Sequence, residues 1–403
     1  MRRFTGVAAA SVCAALLAWP ALSPAQEPIR IGAPLELTGR FSSYGTAGKR
    51  GVEMAVDAFG KTLLGRPIEV KYVDVQSNAQ ATVSAMTELL EKDRVEIVIG
   101  PITSGVVSWA TPPWRQRKPL WLVAGSSSTR NETELGSEKY FFHPYPWDYD
   151  YHASLSATLK HYLGPGKTVA IVYSDGAYGR AHLPHAKQAF TAAGFRIVLE
   201  ELVREGAQDY SPALLKVRQA RADLLLGLVQ TGDAILFTKQ AKSANVGVPY
   251  LVGTVYAALN EWQQAVGAAG DGWVSVTSYM PDLKQPANPK YPKLFPSSDD
   301  WEKTFRARYN REPEFLDPLN YVATVMLFMA IERAGSTDKD KVVAELEKLD
   351  EPTFYGHAKY GKSQGGTLHQ AFSAMIAIQR QNGKSVVIYP PDVAQGKLIP
   401  ANP

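Results

Sequence analysis

The feature that most restricts this chain is a rhythm. Short β-type runs alternate with amphipathic helical segments over most of its length. "IRIGAPL" (29–35) reads as a strand, and "RGVEMAVDAFG" then sets Val52, Ala55, Val56 and Phe59 on one helical face. "IEVKYVDV" alternates with period two. "NAQATVSAMTELLEKD" is helical, with Val83, Met86, Leu89 and Leu90 inward. Next come "VEIVIG", a helix ending near "TPPW", and "PLWLVAG". Strands joined by helical crossovers of this length pair in parallel, with helices on both faces of the sheet.

"KYFFHPYPWDYDYHASL", dense in aromatics and proline, interrupts the rhythm. It then restarts with a helix over 151–162, followed by "KTVAIVYS", "RAHLPHAKQAF", "RIVLEELV", "SPALLKVRQA", "ADLLLGLV", "GDAILFTKQAKSA" and "PYLVG". The two halves repeat an architecture, and no shared sequence motif is visible. Beyond the Pro-rich "GWVSVTSYMPDLKQPANPKYP" lie helices at 300–309, 320–333 and 338–349, and a hairpin around Asn382-Gly383. The expectation is an α/β chain of two lobes: 26–144 with 280–354, and 145–279 with 355–403. Crossings near Tyr145, near Tyr279 and over 354–359 form the hinge, and the cleft between the lobes is a natural ligand site.

A chain of 403 residues suits two domains, and 45% hydrophobic with 20% charged residues is an ordinary globular composition. The net charge of +4, from 43 basic and 39 acidic residues, is too balanced for a nucleic-acid or membrane-surface partner. Arg2-Arg3, an apolar run over 4–21, and Ser23 and Ala25 ahead of Gln26 read as a secretory signal peptide over 1–25, hence a periplasmic protein. The one cysteine, Cys13, falls inside that signal, so the mature chain has no disulfide. "YVATVMLFMAI" (321–331) is too short to span a bilayer and reads as a buried helix.

Catalytic signatures are missing. There is no G-x-S-x-G elbow and no G-x-G-x-x-G opening a βαβ unit. "GTAGKR" lacks the spacing and the hydroxyl of a P-loop. His152, His161, His182 and His185 match neither a metal nor a catalytic spacing and read as solvated surface residues. Asp299-Asp300 reads as a helix cap. No enzyme, metal or cofactor is expected. What remains is a set of loops at the C-terminal ends of strands, where open α/β sheets bind ligands. "ELTGRFSSYGTAG", "GPITSG", "AGSSSTRNET", "YSDGAYG" and "GLVQTGD" are rich in Gly, Ser, Thr and Tyr. At helix N-termini such loops suit a carboxylate.

"IRIGAPLELTGRFSSYGTAGKRGVEMAVDAF", "VEIVIGPITSGVV", "VAIVYSDGAYGR" and "FRARYNREPEFLDPLNYVATVMLFMAIERAG", in this order, resemble the periplasmic solute-binding proteins of branched-chain amino acid ABC importers. The resemblance implies the type I periplasmic-binding-protein fold: two Rossmann-like lobes, a three-segment hinge and a monomer that delivers a small solute to a membrane permease. It places the ligand carboxylate at Ser104 and at Gly125, Ser126 and Ser127. Tyr44 approaches from the first lobe and Tyr178 from the second. The family's amino-acid binders carry a Glu for the ammonium where this chain has Val255 or Tyr256, with Asp233 or Asp175 as substitutes. An aromatic or other organic acid is therefore favoured over an amino acid, with an amide or urea ligand as a further alternative. Phe41, Tyr145, Trp147, Tyr149 and Tyr256 are candidates to floor a ring.

Overall fold

The computed structural model describes residues 27–281 and 283–401, so the segment read as a signal peptide lies outside the described residues. The first part runs β1 (Ile29–Leu35), α1 (Ser42–Ala58), β2 (Thr62–Leu63), β3 (Arg66–Asp74), α2 (Ala79–Thr87), β4 (Ile97–Ile99), α3 (Ser104–Arg117), β5 (Leu120–Leu122), α4 (Thr129–Leu135) and β6 (Phe141–Phe142). The second runs α5 (Asp148–Leu163), β7 (Thr168–Ser174), α6 (Ala177–Ala192), β8 (Arg196–Val203), α7 (Ser211–Ala220), β9 (Leu224–Leu228), α8 (Thr231–Ser243), β10 (Tyr250–Val252), α9 (Asn260–Val266) and β11 (Trp273–Thr277). Then follow α10 (Ser298–Tyr309), α11 (Leu316–Ala334), α12 (Lys339–Leu346), β12 (Glu351–Thr353), β13 (Gly356–Ala358), β14 (Ile376–Gln381) and β15 (Lys384–Tyr389).

Two sheets organise these elements. The first has the order β2-β3-β1-β4-β5-β6, and the second β15-β14-β11-β10-β9-β7-β8. Every residue of β4, β5, β9 and β11 is buried, the mark of parallel strands covered by helices on both faces. Within the first sheet the chain order turns back between β1 and β4, and within the second between β7 and β9. Loops leaving the carboxyl ends of strands at such points diverge and leave a crevice, which is where ligands bind in this architecture. The crevice here is bounded by the loops after β1 and β4 on one side, and after β7 and β9 on the other.

Two local expectations need correction. The third helix does not end at Pro112-Pro113 but continues to Arg117. Trp114, buried against Trp121 at 5.3 Å between ring centroids, holds the turn beyond the prolines, and the Thr111 hydroxyl bonds the Val107 carbonyl at 2.9 Å. The cap of α10 is Ser297, whose Oγ accepts from Asp300 N–H at 3.2 Å. Asp299 and Asp300 lie in the first turn, where negative charge complements the helix dipole. The hairpin at Asn382-Gly383 forms between β14 and β15, with both residues at positive φ as a tight hairpin turn requires. The 321–331 segment is buried at every residue inside α11, which packs along α1.

The halves do share one short motif. Tyr44-Gly45 opens α1 and Tyr178-Gly179 opens α6. A Cβ on Gly45 would sit 2.2 Å from the Glu36 carbonyl oxygen, and one on Gly179 would sit 2.3 Å from that of Ser174. Glycine thus lets each helix begin directly against the end of the first strand of its sheet, and the preceding tyrosine faces the crevice. The two dipeptides lie in otherwise dissimilar strings, which hides the repeat. Gly179→Ala is expected to cost about 1–3 kcal/mol in urea unfolding through overpacking against backbone. An unchanged midpoint would contradict this close approach.

Candidate functional site

A small cavity of about 30 Å³, tighter than an occupied ligand pocket, lies between the carboxyl ends of the two sheets. Tyr44, Ser104, Gly125, Ser126 and Ser127 line it from the first side, and Tyr178 and Val255 from the second. Tyr145 lines it from the crossing between the sheets. Four of the residues expected there face elsewhere. Phe41 packs with Val75, Ala85 and Val106 beneath the Arg40 guanidinium. Trp147 is stacked on His143, 3.6 Å between centroids at 8°. Tyr256 is buried against Trp262 and Trp273. Tyr149 is likewise turned away, its hydroxyl on Glu132. Ile102, Thr103, Tyr151, Gln230, Phe315 and Leu316 complete the lining and were not anticipated. Phe315 and Leu316 fall in the "EFLDPLNY" stretch that carries the family resemblance, which was the available signal.

The loop "GPITSG" does hold a carboxyl group, but the carboxyl is the chain's own. Glu36, fully buried at the end of β1, accepts from Ile102 N–H at 3.2 Å, and from Thr103 N–H and the Thr103 hydroxyl at 2.8 Å each. Burial leaves its carboxyl raised above the ordinary range, with the bonds from Thr103 and Ile102 opposing that rise in part. With those amides taken, Ser104 is the next polar group facing the cavity. It opens α3, and its Oγ accepts from Ser128 N–H at 3.3 Å, which leaves its own proton to give. The amide of Asn131 joins the two loops by donating to the Ser104 carbonyl at 2.8 Å and to Ser126 Oγ at 2.9 Å.

His143 holds the second loop from behind. Its Nε2 lies 2.8 Å from both the Gly125 and Ser126 carbonyl oxygens, so the proton sits on Nε2 and is shared between them. Burial pushes this imidazole down to about 4. Ser126 is thereby fixed in the left-handed region at φ 65°.

Contacts across the cleft show the lobes closed on each other. The Tyr44 hydroxyl meets the Thr231 hydroxyl, and Ser127 Oγ lies 3.0 Å from His182 Nε2. Arg40 pairs with Glu205 at 3.4 Å, and Asn260 N–H donates to Glu314 at 2.5 Å. His152 and His182, expected at the surface, are fully buried, and His185 is partly buried beside Asp148. His161 is exposed, as expected. His182 sits one turn beyond Tyr178 on α6, and the two rings lie 4.0 Å apart, so it follows the tyrosine toward the cleft.

Among the described residues, no Asp, Glu, Lys or Arg lines the cavity. Asp175 accepts from Glu205 N–H at 2.8 Å and Asp233 from Gly206 N–H at 2.9 Å, and neither reaches the lining. The positive field inside comes from helix ends, since the first turns of α1, α3 and α6 supply Tyr44, Ser104 and Tyr178. Among the described residues, no cluster of His, Cys, Asp or Glu is placed to hold a metal ion, and no helix is long and apolar enough to cross a membrane.

A closed, two-lobed, uncharged cavity of this kind defines a receptor for a small solute. The profile of the periplasmic binding protein family matches residues 28–384, and the chain belongs to that family. Its named relatives and structural neighbours are binding proteins rather than enzymes. Among its relatives, the Leu/Ile/Val-binding protein homolog 8 of Brucella suis is 23% identical over 388 residues, 94% of each chain. The leucine binding protein LivK of Thermotoga maritima superposes with a TM-score of 0.78 at 22% identity, covering 90% of this chain and 99% of that one. A solute binding protein of R. palustris in complex with benzoate also gives 0.78 at 22% identity, covering 93% and 97%. The fold is that of the type I periplasmic binding proteins.

Neutral His143 supports its loop only above its own titration range. Its folded pKa of about 4 lies below the ordinary 6.5. The stability it supplies is therefore complete above 6.5 and lost as the pH falls toward 4. The advantage of wild type over His143→Phe in urea unfolding is expected to narrow by up to about 3 kcal/mol between pH 7 and pH 4. A difference independent of pH would contradict this account of the loop.

Proposed function

We propose that the chain is the monomeric solute receptor of an ABC importer, and that it captures a small carboxylate carrying no ammonium, an aromatic acid being the best fit. The observation that carries this reading is the lining itself: hydroxyl donors on one side, Tyr44, Tyr145, Tyr151, Tyr178 and Phe315 around them, and no charged side chain. A carboxylate would take the hydroxyl protons of Ser104 and Ser127 at the positive end of α3. An ammonium in the same closed space would lose its water and meet no anion, at a cost of about 2–5 kcal/mol. Tyr145 and Phe315 lie nearly parallel at 5.9 Å, an aromatic wall suited to a ring. That a neighbour of the same fold holds benzoate supports the choice of ligand class at the level of fold. The uncharged lining also suits an amide of the urea type, which is the second reading.

In this mechanism the acid docks first on the lobe formed by 26–144 and 280–354, at Ser104 and the Gly125–Ser127 loop. The lobe formed by 145–279 and 355–403 then rotates about the three crossings and brings Tyr178 onto the ligand. Because the ligand touches both lobes only in the closed form, it favours that form by the difference in contacts. The closed form is what the membrane permease would recognise. Export to the periplasm with cleavage after Ala25 belongs to the same reading.

Thermal unfolding tests the ligand class. Benzoate at about 100-fold above its Kd should add about 2.7 kcal/mol of stability, while leucine and valine add nothing measurable. Stabilisation by leucine or valine alone would overturn the reading, and stabilisation by urea or amides alone would favour the second. Ser104→Ala should weaken benzoate binding by about 1–3 kcal/mol with an unchanged unfolding midpoint. Equal affinities by calorimetry would remove Ser104 from the site.

A further inference from the structure

Behind the cavity wall runs a line of polar groups that the proposed function leaves unused. Ser127 Oγ lies 3.0 Å from His182 Nε2, and His182 Nδ1 lies 3.0 Å from His152 Nε2. His152 Nδ1 is buried without a partner among the described residues. Both rings are fully buried, on the adjoining helices α5 and α6. Burial pushes His152 down to about 3 and His182 well below the ordinary histidine range. Each is therefore neutral and carries a single N–H.

Counting protons leaves two arrangements. In the first, His152 donates from Nε2 to His182 Nδ1, and His182 donates from Nε2 to Ser127 Oγ. The leftover group is a bare lone pair on His152 Nδ1. In the second, every donor reverses, and the leftover group is an N–H on His152 Nδ1 in a dry interior. Buried N–H groups without partners are rarer than under-used acceptors. The first arrangement also keeps both rings in the Nε2–H form that the neutral histidine side chain favours in water. It leaves the Ser127 proton pointing away from His182, toward the cavity and the neighbouring Tyr151 hydroxyl, which is its acceptor in the ligand-free protein and which a stronger acceptor would have to displace. A second pair has the same sense: Tyr151 O–H donates to Tyr145 Oη at 2.5 Å, so the Tyr145 proton is also left to give. Ser127, Tyr145 and Tyr151 all line the cavity.

We propose that His152 and His182 form a directional relay that makes the Ser127 hydroxyl a donor toward the ligand, so that the pocket selects groups that only accept hydrogen bonds and prefers a carboxylate to the matching amide. His152 and His182 are positioning residues in this scheme, and Ser127 makes the contact. The inference rests on the carboxylate reading of the cavity for its consequence, but not for its geometry, because the bond between the two histidines lies within one lobe.

Two readouts separate these. Two-bond proton–nitrogen NMR spectra of the ligand-free protein identify the protonated nitrogen of each ring. Nε2–H is expected at both His152 and His182, and Nδ1–H at His182 overturns the relay whatever the solute. The second readout is the ratio of benzoate to benzamide affinity by calorimetry. His152→Phe removes the donor to His182 and is expected to lower that ratio about tenfold, the worth of one hydrogen bond. His182→Gln, whose amide N–H stands in for Nε2–H, is expected to retain most of it. Equal losses for both probes in His152→Phe would mark a packing role and overturn the proposal. Wild-type protein that binds neither probe counts against the carboxylate reading, and the tautomers then decide the relay alone.

Discussion

The buried carboxylate of Glu36 is the interaction on which the rest of the site depends. It leaves the end of β1 and clasps the backbone of Ile102 and Thr103 at the start of α3, joining the two loops that flank the turning point of the first sheet. Moving a carboxylate out of water costs several kcal/mol, and charge-assisted bonds of about 1.5–3 kcal/mol each offset that cost. The outcome is positional. Ser104 is held at the cavity edge, Asn131 ties it to the next loop, and His143 fixes that loop from the far side. The donors a ligand meets on the first lobe are set before any ligand arrives, so little ordering remains to oppose binding.

The second lobe contributes differently. Tyr178 and His182 lie on one face of α6, and His182 reaches Ser127 across the cleft. Of the bonds across the cleft, those from Tyr44 to Thr231 and from Ser127 to His182 connect neutral groups, and Arg40 with Glu205 forms an ion pair. Neutral hydrogen bonds are individually worth about 1 kcal/mol. The cavity gives that solute donors, aromatic surface and the positive ends of helices, and no fixed charge of either sign.

Much of this was legible from residues in order. The strand–helix rhythm foretold the parallel strands at the centre of both sheets, a local signal, and the family resemblance pointed to Ser104, Ser126 and Ser127, which line the cavity. The misses are long-range. Glu36 lies 66 residues from Ile102 and His182 lies 55 residues from Ser127, so neither pairing leaves a trace in spacing. Aromatic density near the crossing pointed to Tyr145 but equally to Trp147, and composition does not state which way a ring faces. Trp147 turned to His143, and Phe41 and Tyr256 turned into their own lobes. Val255, one of the two residues where the family resemblance called for an acid, does line the cavity, and Tyr256 does not.

Small-angle X-ray scattering tests the central claim most directly, because it reports closure itself. Benzoate should shrink the radius of gyration of the ligand-free protein to the value calculated for the closed form, and isoleucine at the same concentration should leave it unchanged. Closure with isoleucine and none with benzoate would mean that an acid for the ammonium exists after all, and that the uncharged cavity is not the determinant of what the protein binds.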